Sequence, residues 1–199
     1  YMDRERNLTF DEIYDEVVLI NKQCEQVYDK KLSNIVFMGM GEPLLNYKDV
    51  LKAIERITST ESFGMSPRRI TVSTAGVAKM IKKLGDDDVR FNLALSLHAA
   101  NDVKRSEIMA INETNNIKSL IEALNYFHGQ TKGDITLEYV LLKGTNDSLQ
   151  DAKELVEIYK RIPTHTINII EYNSVEGIDF DRADDDTTQA FVKYLSDRK

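Results

Sequence analysis

The sequence predicts an α/β fold in which parallel strands alternate with helices. Five short runs are rich in Val, Ile and Leu and have the length of strands. Longer segments before, between and after them repeat apolar residues at helical spacing. Strict alternation of the two indicates parallel strands joined by right-handed crossovers. Because a helix precedes the first run, the predicted element order is α(βα)5.

The first predicted element is a helix over Phe10–Tyr28, because Thr9 and Glu12 have the spacing of a capping box. Its apolar stripe predicts a buried face that includes the lone cysteine; the stripe consists of Ile13, Val17, Ile20, Cys24 and Val27. The other helices are predicted at Lys48–Thr58, Val77–Leu84, Asn116–His128, Leu149–Arg161 and Thr187–Asp197. The strands are predicted at Asn34–Met38, Arg69–Ser73, Phe91–Leu97, Ile135–Leu142 and Thr166–Ile170.

Composition limits the possible classes of protein. The 199 residues, 42% of them hydrophobic and 30% charged, suffice for one domain with a core. A net charge of −7 provides no field that would attract a phosphate backbone. The single cysteine excludes an internal disulfide and any multi-cysteine metal site within the chain. No apolar run reaches the roughly eighteen residues of a membrane span, and the opening YMDRERNLTFDE does not resemble a signal peptide, so a cytoplasmic location is expected.

The strand faces favour a barrel that holds a ligand. In Asn92–His98 one face carries Asn92, Ala94, Ser96 and His98, whereas the other carries only leucine. The bulky face suits packing against helices, and the small or polar face suits a wet or ligand-filled lumen. The alternative is a doubly wound sheet with one face of satisfied polar residues. The barrel is favoured because sheets covered by helices on both sides are usually apolar on both faces.

The segments that follow the five predicted strands carry glycine, small hydroxyls or carboxamides, as the ligand-binding ends of parallel strands do. In Gly39-Met40-Gly41-Glu42-Pro43 the glycines allow a sharp turn and a close backbone approach to a ligand. Glu42 then suits an ammonium group better than a phosphate. The segment is neither GxGxxG nor a P-loop, and a plain turn with a solvated glutamate remains the alternative.

Five ordered motifs carry a family resemblance: VFMGMGEPLLN, RRITVSTAGV, ALSLHA, ITLEYVLLKGTND and INIIEYN. In this order they closely resemble the radical SAM methyltransferases of the RlmN/Cfr family, over essentially the whole chain. The resemblance implies a partial (βα)6 TIM-like barrel. It also implies methylation of an adenine in 23S ribosomal RNA, at carbon 2 in the RlmN branch, which acts on tRNA as well, or at carbon 8 in the Cfr branch. The reaction would use S-adenosylmethionine and a methyl-cysteine intermediate, and RlmN is the better fit.

The resemblance also implies cofactor contacts residue by residue. The turn at Gly41 and Glu42 would receive the amino group of S-adenosylmethionine. Its ribose, carboxylate and adenine regions would be contacted by Ser73, Ser96, Leu97, His98 and Asn173. For His98, a histidine hydrogen-bonded at a strand end is an equally open interpretation. Glu138 either lines the lumen beneath the cofactor or is a structurally paired carboxylate, which is favoured.

The chain also departs from the family pattern. It lacks the CxxxCxxC motif that binds a 4Fe-4S cluster in the family. The cluster, the catalytic cysteines and the general base are therefore expected elsewhere in the parent protein, so no metal ligand or catalytic residue is assigned here. Residues 1–199 are interpreted as a truncated barrel core without the first strand, the cluster loop, the RNA-binding domain or the catalytic tail.

Expected partners of the parent protein are 23S rRNA, tRNA and an electron donor such as flavodoxin, with no membrane. The fragment itself is expected to be inactive and to self-associate through exposed sheet edges. Two other functions remain open: a radical SAM enzyme with another substrate, and a non-catalytic nucleotide-binding scaffold.

Overall fold

A computed structural model describes residues 5–174, 177 and 179–198. The helices are α1 (Phe10–Tyr28), α2 (Tyr47–Thr58), α3 (Ala78–Asp86), α4 (Asp102–Ile108), α5 (Ile117–Thr131), α6 (Leu149–Tyr159) and α7 (Asp185–Ser196). The strands are β1 (Ile35–Phe37), β2 (Ile70–Thr74), β3 (Asn92–Ser96), β4 (Ile135–Leu141) and β5 (Thr166–Glu171). All the predicted elements are present, and α4 is an additional helix.

The strands belong to one five-stranded sheet whose strand order follows the chain, β1-β2-β3-β4-β5. The β1–β2 pair is parallel, with Ile35 opposite Ile70. The β4–β5 pair is also parallel, with Glu138 opposite Asn168. A sequential order with helical crossovers is the order of (βα) barrels, whereas a doubly wound sheet reverses its order at a switch point. The predicted α/β class with barrel-type topology is confirmed.

The chain divides into two compact units, of which the first comprises residues 1–74 and 90–93. Here α1 begins at the predicted capping box, in which Thr9 N–H donates to Glu12 at 2.8 Å and Glu12 N–H donates to Thr9 Oγ1 at 3.3 Å. Glu12 also pairs with Arg6 at 2.6 Å. The hydrogen bond from Arg6 is the main reason that the pKa of Glu12 is lowered to about 2.

The buried stripe predicted along α1 is wrong for its C-terminal half. Ile13 is 8% exposed, but Ile20 is 49% and Val27 69% exposed, and Cys24 is only half-buried. The start of α1 contacts α2 and the loop after it. Phe10 N–H donates to Asp49, and the Phe10 ring lies beneath the Lys52 ammonium. The ring of Tyr14 packs on that of Phe63. The C-terminal half of α1 is therefore mostly exposed, with Asn21 as its buried residue.

The second unit comprises residues 75–89 and 94–199. Its core includes Leu124, Phe127, Tyr139, Leu155 and Phe191, each fully buried. The rings of Tyr139 and Phe191 lie 5.5 Å apart. A capping box of Ser148 and Asp151 begins α6, next to the segment that follows β4. Within the described ranges, no helix has both the length and the apolar character that a membrane crossing requires.

Candidate functional site

The turn after β1 forms the candidate site of the first unit. Gly41 has φ +89°, a conformation that side chains with a β-carbon rarely adopt, so glycine is required there. Glu42 caps the 3-10 turn Pro43–Asn46, and its Oε1 accepts a hydrogen bond from Leu44 N–H at 3.0 Å. That bond fixes the orientation of the carboxylate, and Pro43 fixes the exit of the chain.

Gly41 and Glu42 line a cavity of about 470 Å³ that lies within the first unit. Its wall combines the apolar strand β1 with residues 38–43 and with charged groups that include Arg6 and Glu16. A cavity of this volume is large enough for a nucleoside-sized ligand. The residues present fit the amino-acid end of S-adenosylmethionine, because a fixed carboxylate beside a glycine backbone suits an ammonium group.

The third predicted contact of the first unit, Ser73, lies apart from this cavity. It is the fourth residue of β2 and is 6% exposed, and it is not among the residues that line the cavity. The structure therefore brings Gly41 and Glu42 together and leaves Ser73 at the end of its own strand.

In the second unit, Ser96 ends β3, and Leu97 and His98 follow it and bond to β4. The N–H groups of Leu97 and His98 both donate to the Glu138 carbonyl, at 3.0 and 3.2 Å. Leu93, Leu95 and Leu97 are at most 1% exposed, whereas Ser96 and His98 are half-buried. This division agrees with the two predicted faces except at Ala94, which belongs to the small or polar face but is 1% exposed.

His98 is held by a backbone amide at its ring and by a side-chain amide at its carbonyl. Its φ is +55°, an uncommon conformation for a residue other than glycine. Val140 N–H donates to His98 Nδ1 at 3.2 Å, and the His98 carbonyl accepts from Asn146 Nδ2 at 2.6 Å. Burial, with a smaller contribution from the Arg105 charge, lowers the pKa of His98 to about 4. His98 is therefore neutral at pH 7.

Asn146 is a polar core residue that the sequence patterns do not single out. It is fully buried, and its Nδ2 also donates to the Val140 carbonyl at 2.7 Å. Its Oδ1 accepts from Leu142 N–H at 2.7 Å, and its own carbonyl accepts from the Tyr139 hydroxyl at 2.8 Å. Asn146 thus ties the segment after β4 to His98. The only sequence signal is its place in the motif LLKGTND.

Two further polar positions differ in burial. Glu138 is 6% exposed and accepts from Asn168 Nδ2 at 2.9 Å, and burial raises the pKa of its carboxyl. This is the structurally paired arrangement favoured for Glu138. Asn173 is exposed after β5, and no hydrogen bond among the described residues joins it to Ser96, Leu97 or His98.

Arg105 is the second residue that the patterns miss. It lies in α4 with no exposed surface, and its guanidinium contacts the ends of segments that carry predicted cofactor contacts. In α4 the usual pattern is inverted, since Val103 is 73% exposed and Arg105 is buried. A search for an apolar stripe therefore cannot detect this helix.

The chain does not fit a 4Fe-4S cluster. Such a cluster requires several thiolates, and this sequence has one cysteine. Within the part of the chain that the structure describes, no group of three or more His, Cys, Asp or Glu side chains is placed to hold a metal ion.

The family model and the curated relatives that match this chain point to the same family. Residues 2–162 match the radical SAM superfamily. A probable dual-specificity RNA methyltransferase RlmN from Cytophaga hutchinsonii is 56% identical over 198 residues, which cover 100% of this chain and 54% of that protein. The protein of that name from Christiangramia forsetii is 50% identical, and the match covers 98% of this chain and 55% of that protein. The chain thus spans about half the length of the curated relatives it matches.

Solved structures agree on the fold. A radical SAM methyltransferase from Sphaerobacter thermophilus superposes with a TM-score of 0.93 at 35% identity, over 98% of this chain and 56% of that one. A domain of pyruvate-formate lyase-activating enzyme from Bacteroides vulgatus has a TM-score of 0.63 at 16% identity, and the match covers 84% of this chain and 95% of that one. The second likeness concerns the fold alone.

Proposed function

Because the chain belongs to the radical SAM superfamily, we propose that it is the S-adenosylmethionine-binding barrel core of an RNA methyltransferase. The full-length enzyme would methylate carbon 2 of an adenine in 23S rRNA and tRNA. The observation that carries this proposal is 56% identity, over the whole chain, to a probable dual-specificity RNA methyltransferase RlmN. The cavity beside Glu42 supports it independently.

The residues of this chain would bind and orient the cofactor. Glu42, oriented by Leu44 N–H, would accept hydrogen bonds from the amino group, while the Gly41 backbone lies close by. Ser73, the segment Ser96-Leu97-His98 and Asn173 would contact the remainder. S-adenosylmethionine supplies the methyl group when it is bound.

The other components of the reaction are assigned to the remainder of the full-length protein. These are the 4Fe-4S cluster, the catalytic cysteines and the RNA-binding surface, so residues 1–199 alone would be inactive. We place the enzyme in the cytoplasm with an electron donor such as flavodoxin. The isolated chain would self-associate along β1, whose Val36 is 52% exposed.

The test uses full-length protein purified anaerobically, as wild type and Glu42→Gln. Losing a charge-assisted hydrogen bond to the amino group costs about 1.5–3 kcal/mol, so the Kd for S-adenosylmethionine should rise about 10- to 100-fold. Equilibrium dialysis measures it. The matched control is Glu55→Gln, on the exposed side of α2, which should bind like wild type.

The RNA substrate is tested in a strain that lacks the gene and any other family member. Mass spectrometry of nucleosides from 23S rRNA and tRNA should show no 2-methyladenosine, and wild-type protein should restore it. If 2-methyladenosine persists in the deletion strain, the RNA assignment fails. If wild type binds S-adenosylmethionine and Glu42→Gln binds it equally well, the assigned role of Glu42 fails instead.

A further inference from the structure

Arg105 is a buried cation whose charge has no carboxylate hydrogen-bonded to it. It has no exposed surface and is the largest fully buried side chain of the described residues. None of the ion pairs found among those residues includes it, and the Asp102 charge acts on it only at longer range. Burial lowers the pKa of Arg105 to about 10, so it remains protonated at neutral pH. A buried charge is costly unless hydrogen bonds compensate it.

The compensation comes almost entirely from backbone carbonyls. A guanidinium has five N–H donors in a rigid plane, and Arg105 makes five hydrogen bonds. Nε donates to the Leu97 carbonyl at 3.1 Å. Nη1 donates to Asn112 Oδ1 at 2.9 Å and to the Asn115 carbonyl at 3.3 Å. Nη2 donates to the carbonyls of Ala75 at 2.6 Å and Ser96 at 3.3 Å.

The carbonyls belong to separate parts of the chain. Ala75 directly follows β2 in the sequence STAG, two residues after Ser73. Ser96 is the last residue of β3 and Leu97 the first residue after it, and both are predicted cofactor contacts. Asn115 precedes α5, and its side chain accepts from Ala78 N–H at 2.9 Å, at the start of α3. One side chain therefore joins the segments after β2 and β3 to the starts of two helices.

Gly76 shows how closely this arrangement is packed. Its φ is +106°, and a β-carbon there would lie 3.2 Å from Arg105 Nη2 and 2.9 Å from Leu120 Cδ2. Arg105 thus holds the segment after β2 through the Ala75 carbonyl. The Arg105 side chain also limits the space beside the next residue, Gly76.

We propose that Arg105 is a positioning residue that fixes the backbone of residues 75–76 and 96–97, and thereby the geometry with which the segments after β2 and β3 meet S-adenosylmethionine. The cofactor part of this inference rests on the proposed function. Lysine cannot replace arginine here, since an ammonium presents its donors from one point and cannot reach carbonyls spread around a plane.

The experiment compares full-length wild type, Arg105→Lys and Leu124→Ala. Leu124 is fully buried in α5 and makes no polar contact with either segment, so its truncation is a control for general destabilisation. Hydrogen–deuterium exchange of peptides covering 73–77 and 95–99 is measured without cofactor. The Kd for S-adenosylmethionine is measured separately, at a temperature where all three proteins are folded.

Arg105→Lys should speed exchange in both peptides at least tenfold and raise the Kd at least tenfold, whereas Leu124→Ala should change neither peptide selectively and keep the wild-type Kd. Wild-type exchange and affinity in Arg105→Lys would overturn the inference, and so would equal losses in Leu124→Ala. If wild type binds no S-adenosylmethionine while Arg105→Lys still loosens both peptides, the positioning of the backbone stands and the proposed function fails.

Discussion

Substituting Gly76 by alanine should destabilise the second unit strongly. The backbone at φ +106° is strained for any residue with a β-carbon, which costs about 1–2 kcal/mol. The new methyl would lie 2.9 Å from Leu120 Cδ2, and Leu120 is 1% exposed, so its side chain is surrounded by other core atoms. Overpacking of this kind costs about 1–3 kcal/mol. The combined loss in the free energy of unfolding is about 3 kcal/mol.

Hydrogen exchange of α5 and β4 in the full-length protein measures this loss within the unit that contains Gly76. The slowest amides report the free energy of opening, so a loss of about 3 kcal/mol should speed their exchange roughly 100-fold. The matched control is Gly129→Ala in α5, where a β-carbon meets nothing within 4 Å. Alanine there should slow exchange slightly, because it stabilises a helix by about 0.5–1 kcal/mol over glycine.

The reasoning is refuted if Gly76→Ala exchanges at the wild-type rate or more slowly. That result would mean that Leu120 and Arg105 accommodate the methyl at no cost. A loss equal to that of an unstrained surface substitution, below about 0.5 kcal/mol, would count against it as well.

Three further outcomes are expected. The pKa of His98 is about 4 in the folded protein and about 6.5 in the unfolded chain. The free energy of unfolding should therefore fall by at most about 3 kcal/mol as the pH drops from 6.5 to 4. Urea titrations that give His98→Gln the same dependence of this free energy on pH would contradict the prediction. Asn146→Ala removes the acceptor of Leu142 N–H and one donor to each of two carbonyls, and it should cost about 3 kcal/mol by urea unfolding; a loss below 1 kcal/mol counts against it. Lys104→Met removes the 2.6 Å partner of the buried Asp151 and should cost about 2 kcal/mol, whereas the exposed Lys160→Met should cost under about 0.5 kcal/mol; equal thermal shifts would refute the contrast.

The elements that the sequence predicts well are those with local signals. The bounds of α1 agree with the prediction, and a capping box marks its start. The bounds of the strands agree to within one residue because turn residues flank their apolar runs. Helix α4 begins at the N-cap residue Asn101, but its apolar residues do not follow a helical stripe. Its seven residues expose Val103 and bury Arg105, so the local pattern indicates the opposite face.

Burial and polar contacts depend on tertiary structure in the same way. The apolar stripe of α1 is present in the sequence, but its burial depends on what packs against the helix, and the prediction is wrong at Ile20 and Val27. The segments after the strands were recognisable from glycine and small polar residues. Asn146 and Arg105 act through backbone carbonyls far along the chain. Every residue has the same carbonyl group, so the sequence does not indicate which of them a side chain will contact.

The hydrogen bond from Val140 N–H to His98 Nδ1 has a consequence for the chemistry at the end of β3. A backbone amide only donates, so Nδ1 must carry a lone pair and the ring proton of neutral His98 must reside on Nε2. That nitrogen can therefore offer a hydrogen bond but cannot take up a proton at neutral pH. In this tautomer Nε2 is a hydrogen-bond donor, like a main-chain amide, so a group that binds His98 through Nε2 presents an acceptor.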